Sequence, residues 1–205
     1  MAGTGGVQRD AKIVVTKIEA AKRQLDCAIE LWFTDQDPVA IQTLAAAAYQ
    51  IIFDINEHRG NAHQKLFNAD IVKPEYRRMW NAMVRAPSNF LKHADKDPEG
   101  SIELIPFANI MFLMFAVAGL GTLSQESSDN ERIFAMWLNF HEPDLVADSF
   151  KSFAKEHIKS EDSAKLRTLS KVEFFKASKM SFSDLRRRGA AQVTACRRFY
   201  RSLVP

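Results

Sequence analysis

Twenty consecutive residues, 104–123, carry no charge, and only Pro106, Asn109, Gly119, Gly121 and Thr122 break their apolar run. A stretch so apolar has to leave water, and by length alone it could cross a bilayer as a helix. Its details argue for a different burial. Proline, asparagine and two glycines each weaken insertion, and acidic residues stand on both flanks, where a membrane helix would carry lysine or arginine on one side. A helix apolar on every side also suits the middle of a bundle. The expectation is an all-α protein, a helical bundle of about seven or eight helices around a central apolar helix at 104–123, with no membrane span.

The remaining sequence reads as helices in the same way. Eight glycines and seven prolines in 205 residues leave few turn signals, and the alternation that strands need is scarce. Val14, Ile18, Ala21, Leu25, Ala28 and Trp32 recur at steps of three and four and predict a first helix ending near Phe33. Asp37 and Pro38 form a cap and first-turn pair for a second helix reaching about His58, and Gly60 supplies its stop. Small residues between Thr43 and Ile52 would let a neighbouring helix approach closely. Pro74 opens a third helix with Tyr76, Met79, Trp80 and Met83 as its buried stripe, and Pro87 is expected to break it and start a short helix of its own. DKDPEG, residues 95–100, marks a turn, Ser128 or Asp129 caps the next helix, and Pro143 opens another. Two final helices are predicted at 163–176 and 183–203, the last capped by Ser181 or Ser183.

Charge divides the chain unevenly. From Lys165 onward eleven lysines and arginines face only Glu173 and Asp184, a net +9 that leaves −6 for the rest of a chain with a formal charge of +3. The expected organisation is a flexible lead at 1–9, a helical core at 10–160 and a basic C-terminal segment at 161–205 packed on the same domain. In the last predicted helix Arg186, Arg187, Arg197, Arg198 and Arg201 cluster beside an apolar stripe, a face suited to RNA or to an acidic protein. Cys27 and Cys196 lack the spacing of a disulfide scaffold or zinc site, and the first twelve residues contain no apolar stretch that could act as a signal peptide. A cytoplasmic address with reduced thiols is the expectation.

Chemistry is confined to one place. In SNFLKHAD, Asn89 and His93 stand one helical turn apart, and if Pro87 opens a helix then Asn89 lies in its first turn, where unpaired backbone N–H groups favour an anion. An imidazole could exchange a proton there, with Arg85 or Lys92 supplying positive charge. An ordinary helix end is the simpler reading of the same residues.

Asn89 and His93 resemble the end of the motif of HEPN domains, small helical bundles named for higher eukaryotes and prokaryotes nucleotide binding. In that family an arginine precedes the polar residue, and here that position holds Ser88. The resemblance implies an RNA-binding protein or a metal-independent ribonuclease, dimeric, with His93 as acid or base, Asn89 orienting, and Arg85 or Lys92 replacing the arginine. Elsewhere the signals are absent. His58 and His63 flank Gly60 at a spacing that fits no familiar zinc pattern, and neither a glycine-rich phosphate loop nor a nucleophile elbow is present. No cofactor or metal is expected. Two readings result: a non-catalytic interaction module using the basic C-terminal helix, which could form homodimers, and the HEPN-like ribonuclease.

Overall fold

The computed structural model describes residues 12–70, 72–123, 126–146 and 160–187. Among them are seven α-helices and no strand: α1 (Lys17–Phe33), α2 (Pro38–Arg59), α3 (Arg77–Phe90), α4 (Asn109–Leu123), α5 (Asp129–His141), α6 (Ser160–Thr168) and α7 (Lys171–Arg187). Pro74, Pro106 and Pro143 each open a single 3-10 turn, where a fixed φ helps and a missing N–H goes unnoticed.

Local chemistry sets most of the boundaries. α1 starts at a reciprocal capping box: the Thr16 hydroxyl accepts from the Glu19 backbone N–H at 3.2 Å, and the Glu19 carboxylate accepts from the Thr16 N–H at 2.8 Å. Val14, expected on the buried stripe, lies before this cap and is 94% exposed. α2 begins where the Asp37 carboxylate accepts from the N–H groups of Val39 and Ala40. It ends at Gly60, whose φ of +66° is cheap only for a residue without a Cβ.

α2 lies between α1 and α4 and packs extensively on both. Its small residues Ala45, Ala46 and Ala48 are buried, as the sequence implied. The approach to α4 is closest at Gly119, where a Cβ would stand 2.8 Å from Cγ2 of Ile52. Beside it the buried Asn56 amide donates to the carbonyls of Ile52 (3.0 Å) and Gly119 (2.9 Å), and its oxygen accepts from Asn61 and Thr122. At the other end of the pair, Asn109 donates to the Pro38 carbonyl at 3.0 Å.

The apolar run 104–123 thus supplies α4, which buries Ile110, Phe112, Leu113, Ala116, Val117 and Leu120. Its leading residues Ile105 and Phe107 remain exposed, so the run is hidden on the side facing α2 rather than all round. Pro38–Arg59 and Pro106–Leu123 are long and apolar enough to cross a membrane, and here they pack on each other. α5 closes over α1 and α4, and α7 over α5 and α1. Trp32, Phe134 and Trp137 meet edge to face at 5.4 and 4.6 Å, and Phe175 stacks on Phe33 at 4.6 Å.

Three expectations need correction. Pro87 does not break α3 but sits in its last turn, with the Leu91 N–H bonded back to the Pro87 carbonyl at 3.0 Å. The loss there is one backbone bond near a helix end, and the buried Ser88, which accepts from Gln42 of α2 at 3.2 Å, holds the turn against the core. The stripe of α3 is also misplaced: Tyr76, Met79 and Met83 are 53%, 68% and 60% exposed, while Trp80, Val84 and Ser88 face inward. Trp80 Nε1 donates to the Leu66 carbonyl at 2.8 Å, and that carbonyl's segment is itself held by the Tyr49 hydroxyl, which accepts from the N–H groups of Leu66 and Phe67. Finally, the helices predicted at 163–176 and 183–203 are instead α6 and α7. The break falls at Ser170, where Ser170 and Glu173 form a second capping box, and Ser183 is interior to α7, its hydroxyl donating to the Lys179 carbonyl. The continuation of the helix after Pro143, His157, the 1–9 lead and everything after Arg187 lie outside the described residues.

The α2–α4 contact makes a measurable demand. Gly119→Ala gains up to about 1 kcal/mol of helix propensity and forces a β-branched neighbour to move, at about 1–3 kcal/mol. Net destabilisation is expected in a denaturant titration. Asn56→Ala, which orphans buried groups on both helices, should cost about 1–3 kcal/mol in the same titration.

Candidate functional site

The residues around His93 take their positions from the end of α3, not from the start of a helix. Asn89 is exposed in the last turn, and Lys92 and His93 follow in the turn beyond it. A helix C-terminus presents carbonyl groups and the negative end of the dipole, which favours a lysine or histidine and disfavours a phosphate. The His93 Nδ1 lies 3.9 Å from an Asp95 carboxylate oxygen, both side chains well solvated. Arg85 is engaged elsewhere, its guanidinium 3.9 Å from the centre of the Phe67 ring, and Ser88 points into the core. Among the described residues no hydrogen bond or ion pair links the side chains of Arg85, Asn89, Lys92 and His93 to one another.

Three other histidines, His58, His63 and His141, lie among the described residues. His63 is almost fully buried, with Nδ1 3.0 Å from the Asn61 carbonyl and Nε2 3.9 Å from Glu57, whose carboxylate is held by Lys65 at 2.7 Å. His58 is exposed at the end of α2. His141 stacks on Trp137 and places Nε2 3.2 Å from the Leu166 carbonyl, tying α5 to α6; burial holds its pKa below the usual histidine value. Among the described residues no three His, Cys, Asp or Glu side chains gather in a way that could hold a metal ion. A groove of 560 Å³ lies between the start of α1 and the end of α2, with Ile18, Ile51 and Ile55 as floor and Lys17, Asp54, His58 and Arg59 at its rim.

The basic segment is described only in part. α7 is anchored by Phe174, fully buried against α5, and by Phe175 on Phe33. Lys171 bonds Asp35 at 2.5 Å and lies over the Trp32 ring, while Lys179 covers Phe175. Lys176 and Met180 face solvent. Arg186 and Arg187 belong to the last turn of α7, and Arg197, Arg198 and Arg201 lie outside the described residues.

Sequence reasoning missed one group, the carboxyl of Glu131. It occupies the third position of α5, whose cap Ser128 accepts from the Glu131 N–H at 3.1 Å while donating to Asp26 at 2.6 Å. The pattern Ser128-x-x-Glu131 is a legible capping signature; its burial, with 1% of the residue exposed, is not. Burial pushes the Glu131 pKa up to about 7, against the opposing pull of Lys22 and the Ser128 backbone N–H. Its Oε1 and the neighbouring Asn130 Oδ1 are buried without a hydrogen-bond partner among the described residues.

Comparisons with protein-family models, with curated proteins and with solved structures each returned no match to this chain.

A carboxyl with a folded pKa above its unfolded value costs stability as pH rises. The contribution of Glu131 is most favourable below about pH 4.5, where both states are protonated, and is lost progressively up to about pH 7. At pH 8 Glu131→Gln should therefore stabilise the protein by up to about 3 kcal/mol. Urea midpoints measured from pH 4.5 to 8 should slope less for the variant, and parallel curves would rule out a buried titrating Glu131. His93→Ala, by contrast, should stay within about 0.5 kcal/mol of the parent stability.

Proposed function

We propose that this chain is a non-catalytic helical interaction module, cytoplasmic and water-soluble, whose basic C-terminal segment engages a polyanion: RNA or an acidic protein surface. The observation that carries this reading is the anchoring of α7. Phe174 and Phe175 fasten the helix to α1 and α5, and Lys176 is exposed in the turn they hold, with Arg186 and Arg187 further along the same helix. A helix held in place by its core lowers the entropy lost when its charged groups bind a partner. The concentration of eleven of 28 lysines and arginines after residue 164 supports the same reading. The packing of Pro38–Arg59 against Pro106–Leu123 supports solubility.

If five arginines neutralised five phosphates, the log–log salt slope for single-stranded RNA would be about −3.5. Binding of a labelled RNA and of an acidic polypeptide, each over a salt series, separates the two kinds of partner. Arg186, Arg197 and Arg201 changed together to Glu should abolish binding to whichever probe the parent protein holds. Equal binding by parent and triple variant would overturn the assignment of the basic segment.

A further inference from the structure

The outer face of α3 is an amphipathic surface that the described residues leave uncovered. Arg78, Met79, Ala82, Met83, Ala86 and Asn89 are all exposed on it, and the two methionines are among the most exposed large apolar side chains described. Ala82 and Ala86 lie beside them, so an incoming chain could approach closely. Methionine adapts its shape to irregular partners, and an exposed methionine pair flanked by small residues is a surface of that kind. Charge selects the partner further. Arg78 stands on the face itself, and Lys73 and Lys92 are exposed beyond its two ends, whereas Arg77 pairs with Asp70 and Arg85 lies over the Phe67 ring.

The complement stands on the same chain, immediately after α3. Between 99 and 107 two acids, Glu99 and Glu103, face no cation, giving −2. In the strap 101–105 exposure alternates, with Ile102 and Leu104 half-buried and Glu103 and Ile105 turned outward. Ile105 is 72% exposed and Phe107 56%, so the strap offers apolar groups next to its carboxylates, as the α3 face offers methionines next to the Arg78 guanidinium.

We propose that the α3 face is a self-association surface and that its occupant is the acidic, apolar strap 99–107 of a second copy of this chain. Each copy carries both halves, so a twofold arrangement makes the same contact twice, with α3 of each protomer against the strap of the other. The pairing of opposite charges sets the register, and the methionines against Ile105 and Phe107 supply the apolar burial. The residues invoked differ from those of the basic C-terminal segment, so either assignment can fail without the other.

A charge exchange tests it. In sedimentation velocity the parent protein should dimerise with concentration. Arg78→Glu alone and Glu103→Lys alone each set like charges against one another twice, and each should weaken the dimer at least about tenfold. An equimolar mixture of the two variants restores opposite charges at both contacts and should recover the dimer. Met79→Ser with Met83→Ser, which changes only exposed side chains, should weaken it as well while leaving the circular dichroism melt unchanged. A parent protein that stays monomeric to about 100 µM overturns the proposal. So does a dimer indifferent to all four substitutions, and so does a monomer whose α3 face instead binds an unrelated acidic, apolar peptide.

Discussion

Everything else in the bundle is arranged around the contact between α2 and α4, two helices apolar enough that neither could stand alone in water. They meet at Gly119, where the absent side chain lets the Ile52 methyl approach. A contact of that closeness leaves no room for water, so the polar groups trapped beside it must satisfy one another. Asn56 does this, bonding to its own helix, to α4 and to the loop after Gly60 through a single amide. Dispersion and a saturated polar centre together fix the register of the pair, and Asn109 on the Pro38 carbonyl fixes its far end.

From that pair outward the packing becomes aromatic and then sparse. α1, α5 and α7 share a cluster of Trp32, Phe33, Phe134, Trp137 and Phe175, which anchors the start of the basic segment. Against this cluster the placement of Glu131 is a liability: burial disfavours the ionised carboxyl more than Lys22, the Ser128 backbone N–H and Arg132 together favour it. α3 lies at the other margin. It touches the core through Trp80, Val84 and Ser88 and turns its methionines away from it.

Much of this was legible before folding. The cap at Asp37, a cap at Ser128 or Asp129, the stop at Gly60, the close-packing role of the small residues in α2 and the all-helical class follow from chemistry within a few residues of each other, and the structure has each, with Ser128 as the cap. The capping boxes at Thr16 and Ser170 were equally readable and would have placed the starts of α1 and α7 correctly. The site was less legible. Proline usually opens or breaks a helix, which assigns Asn89 and His93 to a helix start; here Ser88, held by Gln42 from 46 residues away, keeps Pro87 inside α3 and reverses the polarity of the helix end.

The sequence alone determined where backbone could be helical and which segment had to leave water, because caps, proline geometry and hydrophobicity act over one or two turns. The tertiary structure alone decided which of the two apolar edges of α3 turned inward, which carboxyl was buried and whether a helix ran through a proline. Those outcomes depend on atoms far away in the chain: the Leu66 carbonyl that receives Trp80, the Gln42 amide that meets Ser88, and the α1 side chains around Glu131. No local pattern contains that information, since it exists only once the partners have been brought together.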